Sequence, residues 1–487
     1  MLEIQGKIHD RYTLEFKVGY SRYSTSAAVS EFVMDTWIFI PDSLYINAKT
    51  YPKSNFYRDF RALVRLMTPA YTLDEVADDG ALPLSRLRLC CRALAGGQTE
   101  ESEKSYEHQI KMFCSIVRSA LRTATEALLH EADETAFGEQ LEKMVAVVSR
   151  IMEAYRAIPR DTGLDGVAFE VRKRYDLGEE YLCRVAHVHL FHLMEHARSR
   201  FPDAYPRVVE KAAAYVDSDL DYQRGRNFLV PEEGCAERNR DFLHRAGQLK
   251  KYVESDLYVL ADKKSNTFVW QQVFFMLAAG LSMVFATVVS FSFQRTYGNF
   301  TMPLFIALVV SYMFKDRIKD LMHYWFANKL GSKFYDYKIK LVVHGEPVGW
   351  GKEGCDFVNE EKLPVEIRAR RGRVSDLEAG HSALREAVLV YRRRISIWNK
   401  RLEALSHYPL QGFNDIIRVN LRDFLRRMDS PHVPVYINEG RGEFHAEAAE
   451  KVYYVHFIIR YRYQGKTGYR RFRVCLTRRG VKELMEW

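Results

Sequence analysis

The sequence contains no glycine-rich phosphate loop, no G-x-S-x-G elbow, no H-E-x-x-H pair and no kinase signature. Cradling a phosphate, exposing a nucleophile or activating zinc-bound water each needs particular residues at fixed spacing. Their absence removes the common routes to an enzymatic reading. Cysteine is scarce: Cys90, Cys91, Cys114, Cys183, Cys235, Cys355 and Cys475 are scattered, odd in number and form no C-x-x-C pair. That argues against a disulfide framework and a Cys-rich zinc site, and fits reduced thiols. The start, MLEIQGKIHD, has no hydrophobic run behind a basic segment, so no cleavable signal peptide is expected. Internal repeats and low-complexity tracts are also missing.

The most consequential absence is of charge. Residues Ser265 to Gln294 include no ionisable side chain, and neither do Thr296 to Phe314 apart from tyrosine. A bilayer core needs roughly 20 apolar residues of helix to cross it. The two stretches predict a transmembrane helical hairpin joined around Arg295 to Asn299, with Met302 to Phe314 the shorter apolar core. Lys263 and Lys264 precede the first stretch, and Lys315, Arg317 and Lys319 follow the second. By the positive-inside rule the expectation is a multi-pass plasma-membrane protein, in a bacterium an inner-membrane protein, with both termini cytoplasmic. Trp270 and Trp325 would mark the inner interface.

The remainder reads as α+β. Tyr12, Leu14, Phe16, Val18 and Tyr20 alternate with polar residues as a strand, and Phe32 to Ile40 is a second strand. A helix is expected from Ser54 with Phe56, Phe60, Leu63, Val64 and Met67 on one face. Thr72 to Glu75 has capping-box spacing. Residues 76–262 read as a cytoplasmic helical bundle. Its stripes are Tyr106, Ile110, Phe113, Val117 and Leu121, then Leu141, Met144, Val145, Val148, Ile151 and Met152. Phe242, Ala246, Leu249, Val253, Leu257 and Leu260 suggest that the last bundle helix runs on into the first span. The expected layout is a β-rich region with one helix at 1–75, the bundle at 76–262 and the hairpin at 265–314. An amphipathic juxtamembrane helix at 315–330 and an α+β domain at 331–487 follow. That last domain would hold a strand at Tyr335 to Val343, a basic run from Arg368 to Arg373, a cap at Ser375 to Glu378, helices near 380–406 and 414–428, and a closing hairpin. The β-rich ends are expected to be able to pair into one sheet.

Three constellations could carry function. On a helix, His189, His192 and His196 share a face beside Glu195, a donor set suited to zinc or another transition metal. The bland alternative is a helix whose histidines cap its core or meet solvent. Ala278, Ser282, Ala286 and Ser290 repeat every four residues, as do Ala307 and Ser311; small residues at this spacing let helices approach closely in lipid. They would join the two helices to each other or, more sharply, make an oligomer. The third is basic surface: Lys315, Arg317 and Lys319; Arg418, Arg422 and Arg426 at helical spacing; Arg460 and Arg462; Arg471 and Arg473. Such arrays hold anionic lipid or an acidic partner, and otherwise are solvated faces with local pairing. The net charge of +9 points first to anionic inner-leaflet lipid, and no module supports nucleic acid. The leading reading is a non-catalytic, membrane-anchored scaffold or signalling protein with a protein partner or a second copy of itself. An oligomeric channel or transport component and a metal-dependent enzyme or sensor are the alternatives.

Overall fold

A computed structural model describes residues 2–21, 28–265, 267–298, 301–325, 335–372, 386–405, 407–409, 411–463 and 465–487. The chain divides into two compact units, one of Met1–Val64, Leu260–Leu402 and Asn414–Trp487, the other of Arg65–Val259 and Glu403–Phe413. In chain order the elements are β1 (Leu2–Asp10), β2 (Thr13–Ser21), β3 (Val29–Pro41), α1 (Lys53–Asp59) and β4 (Phe60–Leu66). Helices α2 (Leu73–Ala77), α3 (Leu82–Gly96), α4 (Glu100–Leu129), α5 (Glu134–Thr162), α6 (Phe169–Arg200), α7 (Tyr205–Gly225) and α8 (Ala236–Glu254) follow. Then come β5 (Tyr258–Ser265), α9 (Thr267–Tyr297), α10 (Met302–Trp325), β6 (Tyr337–Val343), β7 (Glu346–Val358), α11 (Val365–Gly372) and β8 (Glu386–Trp398). The chain continues through β9 (Gly412–Asn420), β10 (His432–Gly440), β11 (Glu443–Glu450), β12 (Tyr453–Tyr463), β13 (Lys466–Thr477) and β14 (Gly480–Glu486).

Twelve strands form one antiparallel sheet in the order β1-β2-β9-β4-β5-β6-β7-β8-β3-β12-β13-β14. It curls into a nearly closed barrel, since the Val481 N–H donates to the Arg11 carbonyl at 2.9 Å and brings the last strand back to the first. Closure removes the exposed edges that would otherwise template aggregation. The pairing is long-range: Phe32 to Tyr463 and Phe39 to His456 bracket the β3–β12 ladder. Leu14, Phe16, Val18 and Tyr20 on β2 are buried. Phe16 meets Phe457 and Phe472 at ring distances of 5.2 Å, and Phe32 stacks on Tyr463 at 4.7 Å. On the other face, Ile367 of α11 packs into a cluster with Trp37, Phe39, Val388, Val390 and Ile458. The two-stranded β10–β11 ribbon is a separate sheet, exposed along almost its whole length.

The second unit is helical, and its apolar stripes explain it. The stripes on α4 and α5 are buried throughout. Caps fix the ends: Thr72 and Glu75 form both halves of a capping box, and the Asp133 side chain accepts from the Ala136 N–H. At the centre Tyr155 and Tyr175 stack at 4.2 Å. Each hydroxyl donates to the other's backbone carbonyl, at 3.1 and 2.6 Å.

Several expectations need correction. The transmembrane helical hairpin is not evident. Among the described residues only Gln272–Tyr297 is long and apolar enough to cross a membrane, by length and composition. The reason lies in α10, whose apolar run ends at Phe314. The same continuous helix then carries Lys315, Asp316, Arg317, Lys319 and Asp320, so a multi-pass topology is not supported. Nor does the bundle run on into α9, because α8 stops at Glu254 and β5 intervenes. The helix expected from Ser54 turns into β4 at Phe60. The two C-terminal helices near 380–406 and 414–428 are mainly strands β8 and β9, followed by the short helices Asn399–Ala404 and Arg422–Arg426. The β-rich ends do not stand apart from the middle of the chain, which supplies β5 to β9 of the same sheet. Residues 326–330, the cap at Ser375 to Glu378 and the side chains of Trp270 and Trp325 fall outside the described residues.

Candidate functional site

The exposed apolar helix is the first candidate. From Gln272 to Tyr297 it is apolar, and little of it is buried. Met276, Leu277, Leu281, Met283, Val284, Val288 and Phe291 are exposed on α9, and Phe305, Ile306, Tyr312 and Phe314 on α10. A surface helix normally hides an apolar stripe and shows a polar one, whereas α9 shows apolar side chains around most of its circumference. The positions it does bury are the small ones. Ala278 and Ser282 on α9 and Ala307 and Ser311 on α10 are buried, with Ala286 and Ser290 half-buried. The Ser311 hydroxyl donates to the Ala286 carbonyl at 3.5 Å.

The histidine helix is α6. His189 Nδ1 lies 3.0 Å from Thr125 Oγ1. Burial, reinforced by Arg118, His192 and Arg122, lowers its pKa to about 4, so the ring is neutral at physiological pH. His192 and Glu195 are exposed, and His196 lies half-buried with its ring 5.9 Å from that of Phe137. The order His192-Leu-Met-Glu195-His196 also reads H-x-x-E-H, the reverse of the usual metalloprotease pair. Among the described residues no third ligand atom completes a cluster with His192 and His196.

One turn earlier, His187 joins a network that sequence reasoning missed. Its Nε2 is 2.8 Å from Asp219 Oδ2. Arg156 donates to Asp219 at 2.6 Å and to Glu179 at 3.0 Å, and Gln223 donates to Asp219 at 2.9 Å. Burial opposes ionisation of Asp219, yet the hydrogen bonds from His187, Arg156 and Gln223 outweigh it and hold the pKa at about 2. His108 Nδ1 sits 2.7 Å from Asp256 Oδ2, and Lys111 donates to the same carboxylate at 3.2 Å.

The basic arrays are dispersed. Arg418 lies on β9 and donates to Glu15 at 2.8 Å, while Arg422 and Arg426 sit on the short helix beyond it. Arg460 donates to Asp35 at 2.6 Å with its guanidinium 5.0 Å from the Trp37 ring centre. Arg462 is exposed. Arg471 donates to the Arg370 carbonyl at 3.0 Å, and Arg473 contacts the Met485 sulfur at 3.1 Å. These guanidiniums are largely spent on internal contacts. Lys315, Arg317 and Lys319 line the charged half of α10, Arg317 and Lys319 being exposed.

A buried ionic cluster inside the barrel was also illegible. Arg393 of β8 donates to both oxygens of Asp415 of β9 at 2.5 and 3.1 Å, and to Glu353 of β7 at 2.8 Å. Tyr391 and Lys263 also donate to Glu353, at 3.0 and 2.6 Å. Two cations thus meet two carboxylates, and Arg393, Glu353 and Asp415 are each at most 2% exposed. Burial pushes the Asp415 carboxyl up, against the pull of Arg393. The signal available in the sequence, an aspartate at a buried position of an otherwise apolar alternation, looks like a break in a strand.

Comparison with protein-family models, with curated proteins and with solved structures gave no match.

Proposed function

We propose that this protein is a membrane-anchored scaffold or regulatory protein in which the apolar helix α9 is embedded in lipid and the two folded units serve as binding surfaces. The observation that carries this reading is the exposure of α9: its large apolar side chains stand exposed, and the buried positions on it are the small Ala278 and Ser282. In water such a surface costs roughly 25 cal/mol per Å² of apolar area left exposed, and lipid removes that cost. The strand pairing supports an anchoring role. The chain leaves the barrel at Ser265 and re-enters it at Tyr337, and these two residues are register partners on β5 and β6. The excursion that carries α9 therefore begins and ends at neighbouring strands of one sheet. Lys263 and Lys264, just before α9, favour the cytoplasmic side of a plasma membrane for that end of the helix. No assembled catalytic constellation competes with this reading among the described residues, and partner capture by the folded units follows from it.

The test is flotation of the full-length protein with neutral phosphatidylcholine vesicles, followed by alkaline carbonate washing. The parent is expected to float and to resist the wash. Leu281→Lys combined with Val284→Lys, at two exposed positions, is expected to abolish both, because a lysine at bilayer depth costs about 2.5–3.5 kcal/mol on insertion scales. A parent that stays with the soluble fraction, or a double variant that floats like the parent, would refute the reading.

A further inference from the structure

We propose that the outer face of β5, β6 and β7, beside the root of α9, is a binding site for the phosphate of an anionic phospholipid headgroup; the proposal rests on the membrane reading above. The argument begins with register. Lys264 pairs with Lys338, Lys338 with Lys352, and Lys352 with Arg394. Register partners in a ladder point to the same face, so four cationic side chains stand in one row across four adjacent strands. Lys340 lies two residues along β6 on the same face, opposite Trp350 of β7 and Asp262 of β5.

Like charges directly opposite one another destabilise a sheet, and this row is only partly neutralised. Arg394 is paired with Glu31. Lys352 places its ammonium 5.3 Å from the Trp350 ring centre. Lys264, Lys338 and Lys340 are exposed and have no ion-pair partner among the described residues. Several other sheet cations are paired with carboxylates, as at Arg393, Arg418 and Arg460. An external anion would relieve the repulsion that remains among Lys264, Lys338 and Lys340.

The row also has a shape. Lys264, Lys338, Lys340 and Lys352 line a cavity of about 450 Å³ whose walls include Trp350 and Trp398, with Asp262 the one carboxylate of its lining against four lysines. That volume suits a small ligand. Lysine is a point-charge binder of phosphate, and indole rings prefer the interfacial depth at which headgroups lie. Position selects the source of the anion. Lys264 is three residues before Thr267, where α9 begins, and Lys338 immediately follows Tyr337, where the chain returns. With α9 in lipid, the cavity sits at headgroup depth, where phospholipid phosphate is the concentrated anion.

The closing experiment titrates the full-length protein, in a neutral detergent, with dioleoylphosphatidylglycerol, with dioleoylphosphatidylcholine and with inorganic phosphate, reading bound species by native mass spectrometry. Saturable binding of phosphatidylglycerol is expected, at least about tenfold tighter than phosphatidylcholine, with no competition from millimolar phosphate. The triple variant Lys264→Gln, Lys338→Gln, Lys340→Gln is expected to lose that preference while melting no lower than the parent, since repulsion has been removed. Lys264→Arg, Lys338→Arg, Lys340→Arg keeps the charge and is expected to retain it. Equal binding of both lipids, a preference that survives the glutamine variant, or displacement by inorganic phosphate would each overturn the assignment. Flotation on phosphatidylcholine vesicles keeps the two ideas apart. A parent that floats without headgroup preference fails the site alone, and a parent that never floats fails the anchor as well.

Discussion

Replacing Arg393 with methionine should unfold this protein more readily than almost any other single change. The guanidinium lies inside the barrel and makes three hydrogen bonds to carboxylate oxygens, two to Asp415 and one to Glu353. Methionine fills a similar volume but leaves Asp415 with no ion-pair partner, and Glu353 with Lys263 alone, among the described residues. Breaking a buried pair by removing one partner costs about 3–5 kcal/mol, because the remaining charge is desolvated and uncompensated. The damage must also depend on pH. Burial already pushes the Asp415 carboxyl up while Arg393 pulls it down. Without Arg393 its folded-state pKa rises further above the unfolded value. A carboxyl with a raised folded pKa binds more protons folded than unfolded, so its contribution is lost as pH rises through that pKa. The variant should therefore be least stable at neutral and alkaline pH and recover part of the loss towards pH 5. Denaturant unfolding of parent and variant at pH 5 and pH 8 is the assay. A loss below about 1 kcal/mol, or the same loss at both pH values, would refute the reasoning. Asp415→Asn in the methionine background removes the orphaned charge and is expected to restore part of the stability.

Two further outcomes follow from the helical unit. A β-carbon at Gly178 would lie 2.4 Å from the Tyr155 hydroxyl and 2.8 Å from Ile110 Cγ2. Overpacking costs about 1–3 kcal/mol, offset by roughly 1 kcal/mol of gained helix propensity. Gly178→Ala should therefore lower the thermal midpoint, and Tyr155→Phe should cost less in its presence than alone; additive losses would count against the clash. His189, held near a pKa of about 4 against an ordinary value of 6.5, makes the unfolded state the better proton acceptor between those two values. Its contribution is complete above pH 6.5 and is lost as pH falls to about 4. His189→Asn should flatten the stability–pH curve in that window, and an unchanged slope would mean that the ring is not buried neutral.

Local signals in this chain were legible because their physics is local. The Thr72–Glu75 cap, the stripes on α4 and α5, and the alternation along β2 and β6 are each written in residues a few positions apart. The charge-free run that becomes α9 is as plain, since length and composition alone qualify it. The histidine spacing of α6 was readable too, but spacing could not say that His189 would meet Thr125 while His192 remained exposed.

What only the tertiary structure decided is what each residue faces. Gly412–Asn420 carries arginines at helical spacing, yet it buries Phe413, Asp415, Ile417 and Val419 with the period of a strand. Asp415 masks that alternation, and its place inside the barrel is tolerable because Arg393 reaches it from β8. Arg392, Arg393 and Arg394 look like a solvated run, but a strand sends neighbours to opposite faces, and Arg393 alone goes to the core. The lysine row beside α9 needs the register of β5 to β8, set by the ladders that join Lys264 to Lys338, Lys338 to Lys352 and Lys352 to Arg394. Composition determined that this chain would have an apolar helix, a basic surface and enough core for large folded units. Which charges are paired inside the barrel, and which stand beside one another in a row on its outer face, was decided by strand pairing, because only register between strands brings those residues together.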